Sequence, residues 1–122
     1  MANLAFLSED LLNELAAATQ PDKDAAQFGI VQMHPDGVVA YYGPWEAARA
    51  GLSAEWVVGR HFFREVALCA NNALVAQRLQ DETELDVVVD YVFTFRMRVT
   101  PVKLRLLKSA RSRYQYVLVQ RA

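Results

Sequence analysis

The sequence contains a single cysteine, and this scarcity limits both its covalent and its metal chemistry. One thiol cannot form a disulfide within the chain, so nothing in the sequence points to an oxidising compartment. One cysteine and two histidines, separated by predicted turns and loops, also lack the spacing of a structural zinc site. We therefore expect a cytoplasmic protein without a metal centre.

Long apolar runs and charge of one sign are missing as well. No stretch reaches the roughly 18 apolar residues that a membrane-spanning helix needs, and no positive charge precedes Lys23. Neither a secretion signal nor a membrane anchor is therefore expected. Because 13 basic residues are balanced by 14 acidic ones, the chain has no broad positive field, and we expect neither nucleic acid nor a membrane as a partner.

Common catalytic motifs are also absent. No serine lies in a Gly-x-Ser-x-Gly elbow, and no glycine-rich phosphate loop precedes a predicted helix. Hydrolase and nucleotidase activities have no support, and we expect a protein that is not an enzyme. The chain is instead rich in core-forming residues, since 53% of its 122 residues are hydrophobic and 11% are aromatic. This composition is sufficient for one globular domain with a sizeable core.

Local patterns divide the chain into an N-terminal helical cap and a larger core. Ser8 can cap a short helix with leucines on one face, and Pro21 is predicted to end that segment. The polar stretch 21–27 has no periodicity and is predicted to be a linker. We therefore expect a cap over 1–27 and a core over 28–122, within one structural domain.

The core begins with a predicted hairpin. Two runs rich in β-forming residues, 28–33 and 38–42, flank a turn that contains Pro and Asp-Gly. Between 43 and 69 the pattern breaks into short helical pieces separated by glycines. A longer helix is predicted to start near Asn72 and to fade by Glu84.

The clearest periodicity in the chain predicts one long amphipathic strand. Its apolar face holds Val87, Val89, Tyr91, Phe93, Phe95, Met97 and Val99. Two further strands are predicted, over 102–106 and 114–120. Two strands, a run of small helices and three antiparallel strands predict an α+β fold, in which a five-stranded antiparallel sheet has small helices on one face and the N-terminal helical cap on the other. That order is typical of a PAS domain.

Three side chains could carry chemistry, although each also has an ordinary structural interpretation. Cys69 is the most reactive group, but a lone cysteine is more often a small buried apolar residue. Tyr42 ends a predicted strand and by itself would be an amphipathic strand-end tyrosine. Glu46 follows Gly-Pro-Trp and by itself would be a solvated carboxylate in the first turn of a helix. None of the three identifies a function alone.

Taken together, these residues resemble the photoactive yellow protein family. The matching positions are Ala5-Phe6, Ser8-Glu9-Asp10, Phe28-Gly29, Gln32, Asp36-Gly37, Tyr42, Glu46, Gly51, Val57, Gly59, Phe62-Phe63, Val66-Ala67, Cys69, Thr100-Pro101 and Lys103. The resemblance covers essentially the whole chain. The segment 51–60 alone would indicate only a PAS domain, whereas Tyr42, Glu46 and Cys69 at these intervals are specific to the family.

The resemblance implies a blue-light photoreceptor that carries 4-hydroxycinnamic acid (p-coumaric acid) on Cys69 as a thioester. In the family, the tyrosine and the glutamate hydrogen-bond the phenolate of the chromophore, so Tyr42 and Glu46 are expected to do so here. Because burial raises the pKa of a carboxyl group, Glu46 is expected to be neutral in the dark. The resemblance further implies that light isomerises the chromophore from trans to cis and that Glu46 gives up its proton, and we expect the resulting buried carboxylate to loosen the cap.

The expected pocket residues include two positions that depart from the family. The proposed lining is Ala50, Leu52, Phe62, Val66, Phe95 and Met97, and such apolar residues are equally typical of a plain core. Ala50 stands where the family has a threonine that supports the tyrosine, and Leu52 stands where an arginine covers the chromophore. These changes are expected to alter spectral tuning and cycle speed but not attachment.

The downstream partner is expected to be a signalling protein that the sequence does not identify, and the chain is expected to be a monomer or a weak homodimer. A PAS interaction or ligand-sensing module without a chromophore is the alternative function. In that case Cys69 is a buried or redox-active thiol.

Overall fold

The computed structural model describes residues 3–94 and 97–121 and contains one five-stranded antiparallel sheet in the order β2-β1-β5-β4-β3. The strands are β1 (Gly29–Met33), β2 (Val39–Tyr42), β3 (Leu85–Phe93), β4 (Thr100–Lys108) and β5 (Gln115–Arg121). The α-helices are α1 (Leu11–Ala17), α2 (Gln20–Asp24), α3 (Pro44–Ala50), α4 (Ala54–Val57) and α5 (Ala76–Asp81). A π-helical turn, Phe62–Val66, and a 3-10 turn, Leu68–Ala70, lie between α4 and α5.

The predicted hairpin is confirmed. β1 and β2 pair antiparallel, and the turn between them closes with a hydrogen bond from His34 N–H to the Val38 carbonyl. Gly37 adopts a φ of 89°, a left-handed value that costs glycine little. β1 also pairs with β5, which makes it an interior strand with side chains that are buried on both faces.

The two faces of the sheet carry two separate apolar clusters, because alternate strand residues point to opposite sides. Ile30 and Leu118 pack with Leu11 and Leu15 of α1 in one cluster. Val31, Val117 and their neighbours form the larger cluster with the short helices that follow β2. The predicted α+β arrangement, with small helices on one face and an N-terminal helical cap on the other, is confirmed.

The cap differs in detail from the prediction. Ser8 does not cap α1; the N-cap residue is Asp10, and the Ser8 hydroxyl instead donates a hydrogen bond to Glu14. The predicted linker contains α2, and Pro21 lies in the first turn of that helix instead of ending one. Proline suits the first turn because the N–H it lacks has no partner within the helix, and Thr19 completes the start of α2 with a capping box.

The predicted long strand through residue 99 is wrong. β3 ends at Phe93, where it pairs with Thr100, the first residue of β4. Met97 is 97% exposed and has a φ of 62°, so it does not continue the apolar face of β3. Alternating apolar residues predict an extended chain. A β-strand, however, continues only where a neighbouring strand pairs with it, and none of the described residues of β4 pairs with β3 beyond Phe93. Phe95 lies outside the described residues.

The helix predicted from Asn72 is shorter than expected. The side-chain oxygen of Asn72 accepts hydrogen bonds from the N–H groups of Leu74 and Val75. A side chain that binds nearby backbone in this way competes with helix formation, and α5 begins only at Ala76. In the described part of the chain, every helix is too short to cross a lipid bilayer.

Candidate functional site

Glu46 is buried inside the protein at the first turn of α3. Gly43 precedes the helix and donates its N–H to the Ile30 carbonyl, and Pro44 starts the helix. The Glu46 side chain therefore lies against the interior strand β1, and the residue is only 1% exposed. The solvated first-turn interpretation of this carboxylate is therefore wrong, because the start of α3 packs on the sheet.

Gly29 on β1 makes the space for Glu46. A methyl group on the Gly29 α-carbon would lie 2.8 Å from Glu46 Oε1 and 2.9 Å from the Val119 β-carbon. Both distances are shorter than carbon and oxygen atoms normally approach. The burial of this carboxyl group therefore depends on the absence of a side chain at position 29.

Arg121, near the end of β5, is the ion-pair partner of Glu46. Its Nη2 lies 2.6 Å from Glu46 Oε2, and its Nε lies 3.2 Å from Oε1. The two side chains are 13% and 2% exposed, so the pair is largely removed from water. Sequence reasoning missed this residue, because it lies 75 positions from Glu46 and no local pattern marks it. Only the pairing of β5 with β1 brings the two together.

The acidic groups of this site have perturbed pKa values. Burial raises the pKa of Glu46, while the hydrogen bonds and charge of Arg121, together with the charge of Arg49, act in the opposite direction. Burial also raises the pKa of Tyr42, and the nearby charge of Glu46 raises it further while Arg121 lowers it. The protonation of the site therefore depends on Arg121.

Tyr42 ends β2 and is 3% exposed. Among the hydrogen bonds of the described residues, none joins its hydroxyl to Glu46. Ala50 is the last residue of α3, is buried, and offers no hydroxyl to support Tyr42.

Cys69 lies in the 3-10 turn Leu68–Ala70 as a free, partly buried cysteine. Its carbonyl oxygen accepts hydrogen bonds from the Tyr91 hydroxyl at 2.5 Å and from Asn72 Nδ2 at 3.3 Å. Asn72 Nδ2 also donates to the Tyr91 hydroxyl. Because Tyr91 belongs to β3, these bonds hold the cysteine turn against the sheet. The role of Tyr91 was not apparent from the sequence, which placed it only on an apolar face.

The structure brings three of the six proposed lining residues, Leu52, Phe62 and Val66, into one cluster with Tyr42 and Cys69. Tyr42 and Phe62 are buried there, and Leu52, Val66 and Cys69 pack against it. Met97 is not part of this cluster, because its side chain is exposed beyond the end of β3. The proposal for Phe95 concerns a residue outside the described ones.

Arg105, on the cap face of β4, joins the N-terminal segment to the sheet. Its guanidinium donates two hydrogen bonds to Asp86, both 2.9 Å, one to the Phe6 carbonyl at 2.9 Å and one to the Ser8 carbonyl at 2.7 Å. The Arg105 side chain is 6% exposed. The attachment of the cap therefore includes a polar contact that sequence reasoning did not find.

No cluster of metal-binding side chains occurs within residues 3–94 and 97–121. The candidate site brings together the Cys69 thiol, the Tyr42 phenol and the Glu46 carboxyl group with its partner Arg121. These groups can form an acyl bond and exchange protons or hydrogen bonds with a bound ligand.

The chain is similar to photoactive yellow proteins and to PAS domains. No family model matches it. It is 29% identical over 119 residues to a photoactive yellow protein from Halochromatium salexigens, a match that covers 95% of each chain. The photoactive yellow protein domain of the sensor histidine kinase Ppr from Rhodospirillum centenum matches with a TM-score of 0.82 and 28% identity, over 90% of this chain and 99% of that domain.

A more distant structure establishes the fold alone. The PAS domain of an HTR-like protein from Haloarcula marismortui is 15% identical and matches with a TM-score of 0.68, over 90% of this chain and 99% of that domain. The PAS fold expected from the order of strands and helices is confirmed.

Proposed function

Because the chain is a near-full-length relative of the photoactive yellow proteins and has the PAS fold, we propose that it is a blue-light photoreceptor with p-coumaric acid (4-hydroxycinnamic acid) bound to Cys69 as a thioester. The observation that carries this proposal is the burial of both Tyr42 and Glu46 in a domain whose apolar cluster also contacts Cys69.

The side chains fit this chromophore in their chemistry. Thioester formation needs a thiol that an activated acyl group can reach, and Cys69 is only partly buried. A phenolate that is removed from water needs strong hydrogen-bond donors, and a phenol and a protonated carboxyl group, at Tyr42 and Glu46, supply them. Phe62 and Val66 supply apolar surface. When bound, the chromophore supplies a double bond that isomerises on absorbing blue light.

The protein supplies donors and a proton. Because burial raises the pKa of Tyr42, its hydroxyl stays protonated at neutral pH and donates a hydrogen bond. Glu46 gives up a proton and becomes a buried carboxylate. Because this carboxylate is paired with Arg121, a change in its charge makes or breaks a buried ion pair, which is worth about 3–5 kcal/mol against the roughly 5–15 kcal/mol stability of a whole domain. A change of charge at Glu46 is therefore strong enough to alter the structure around it.

We propose that this change reaches the N-terminal cap, residues 1–27, through β1. Glu46 contacts Gly29, and the next residue, Ile30, packs under the cap. Loosening of the cap from the core, residues 28–122, would uncover the sheet face for a downstream signalling protein. In this proposal the chain acts in the cytoplasm without catalytic turnover, as a monomer or a weak homodimer.

Reconstitution tests the function directly. The purified protein is mixed with activated 4-hydroxycinnamate, and its absorption spectrum is recorded before and after a blue flash, beside Cys69→Ala as control. We expect a visible band that bleaches and recovers in the wild type and never forms in the variant. If neither protein becomes coloured, the photoreceptor function is wrong, and a PAS ligand-sensing or interaction module replaces it.

A further inference from the structure

We propose that Arg121 is a built-in counter-ion that gives Glu46 two alternative states, one ionised and bound to the guanidinium, the other protonated and donating to the ligand. The effect on the ligand rests on the proposed function, but the charge state of Glu46 can be tested without the chromophore. A tuning role is thereby assigned to a residue that lies 75 positions from Glu46 along the chain.

The geometry of the pair favours an ionised carboxyl group. Both Glu46 oxygens accept hydrogen bonds from one guanidinium, at 2.6 and 3.2 Å. A guanidinium remains charged and can only donate. Charge-assisted bonds of this two-pronged kind are about twice as strong as neutral ones. Protonation of Glu46 removes that advantage, so the carboxyl group cannot fully satisfy Arg121 and keep its proton at the same time.

The surroundings of Glu46 leave Arg121 as its main electrostatic partner. The charged and titratable groups that face it are Tyr42 from β2, Arg121 from β5 and Arg49 from its own helix, while β1 contributes only the backbone of Gly29. Arg49 is exposed and stacks on the Trp45 ring at 3.9 Å. Among the described residues, Arg121 alone forms an ion pair with Glu46.

Arg121 is also held in place on its other side. Its guanidinium carbon lies 5.9 Å from the centre of the Phe93 ring, and its residue pairs with Val102 of β4. It borders a cavity of about 350 Å³ that is also lined by Asp90 and Lys103, whose side chains form their own ion pair at 2.8 Å. The arginine is therefore positioned by the sheet.

Two consequences follow for a loaded photoreceptor. In the dark, Glu46 and the chromophore phenol compete for one proton, and Arg121 favours the arrangement in which the phenol keeps it. This replaces the expectation of a uniformly neutral Glu46 with two dark forms of different colour. After Glu46 loses its proton, its carboxylate forms an ion pair with Arg121. The buried charge is therefore paired, and it disturbs the cap less than an isolated buried charge would.

The test starts with the apoprotein and follows the side-chain carboxyl carbon of Glu46 by carbon-13 NMR as a function of pH. We expect an ionised Glu46 in the wild type at pH 7. The pKa of Glu46 should be higher in Arg121→Gln, because burial raises this pKa and the variant lacks the arginine that lowers it. Arg121→Lys keeps the positive charge but cannot donate the same pair of hydrogen bonds to both carboxyl oxygens. The pKa of Glu46 in this variant should therefore lie between those of the wild type and Arg121→Gln. Arg49→Gln is the matched control: it removes an equal charge from α3 without a contact to Glu46 and should shift the curve least.

A second measurement uses only the wild-type protein, so it remains valid even if the Arg121 variants fail to fold. The Nε–H proton of Arg121 in the wild type should shift with the same midpoint as the Glu46 carboxyl carbon. The inference would be overturned if the titration midpoint of Glu46 were the same in the wild type and in Arg121→Gln. It would also be overturned if the Arg121 Nε–H shift did not change as Glu46 titrates.

The loaded protein separates this inference from the proposed function. The infrared band of a protonated Glu46 should be stronger in Arg121→Gln than in the wild type. If no protein becomes coloured, the photoreceptor function fails, while the apoprotein titration still decides the role of Arg121. If colour forms but the infrared band is equal in both proteins, the inference alone is wrong.

Discussion

Gly29 lies so close to Glu46 that a methyl group on its α-carbon would be 2.8 Å from the carboxyl oxygen Oε1. The same methyl group would meet Val119 on the neighbouring strand at 2.9 Å. Because Glu46 is fixed at the start of α3 and Val119 is fixed in β5, neither neighbour can move away without disturbing an interior strand. This contact therefore couples the position of a titratable group to the packing of the sheet.

Gly29→Ala should destabilise the protein by about 1–3 kcal/mol, the usual cost of forcing extra volume into a packed interior. Urea unfolding measures the loss. Gly43→Ala is the control, since its nearest neighbours would be 3.6 Å away, an ordinary contact distance. Equal unfolding midpoints for the two variants would contradict the close packing of Glu46 on β1.

Removal of the Tyr91 hydroxyl should loosen the turn that carries Cys69. Tyr91→Phe deletes the bond to the Cys69 carbonyl at a net cost of about 1 kcal/mol, so Cys69 should react faster with a thiol reagent such as dithiobis-nitrobenzoate. Tyr41→Phe serves as control, because its hydroxyl binds Asp24, away from the cysteine. A reaction rate that is unchanged in Tyr91→Phe would show that the hydrogen bond from Tyr91 to the Cys69 carbonyl does not control access to the thiol.

Arg105→Gln should release the cap while leaving the rest of the sheet protected. The variant leaves the carbonyls of Phe6 and Ser8 short of donors, and the expected loss is about 1–3 kcal/mol. Hydrogen exchange should accelerate in α1 more than in β5. Lys103→Gln on the same strand removes an exposed pair with Asp90 and should cost less than about 1 kcal/mol. Uniform acceleration in both helices and strands would argue against a separate cap.

The stability of the protein should depend on pH through Glu46. Because burial raises the pKa of Glu46 above its ordinary value of 4.5, the folded state binds a proton that the unfolded state releases in that range. The free energy of unfolding should therefore fall as pH rises above 4.5, through the folded pKa. Glu46→Gln lacks this titration and should show a flatter profile over the same range. Parallel profiles for the two proteins would mean that Glu46 has no raised pKa.

Local sequence patterns were sufficient for the hairpin and for the division into small helices and strands. The run 28–42 carries its own turn, and the alternation in β3 identifies its buried face. The end of β3 was not predictable in the same way, because a strand ends where its partner ends, and Met97 continued the apolar alternation without a partner. Pro21 was misassigned because proline both ends helices and starts them.

The sequence by itself determined the candidate chemistry of the site, since Tyr42, Glu46 and Cys69 are the residues on which the resemblance to the photoactive yellow proteins rests. Only the tertiary structure decided the partners of these groups. Arg121 meets Glu46 across 75 residues, and Arg105 meets the Phe6 carbonyl across 99. Such contacts arise from the order of strands in the sheet, β1 beside β5 and β5 beside β4. No local pattern encodes that order, because strand pairing is chosen by the packing of the whole domain.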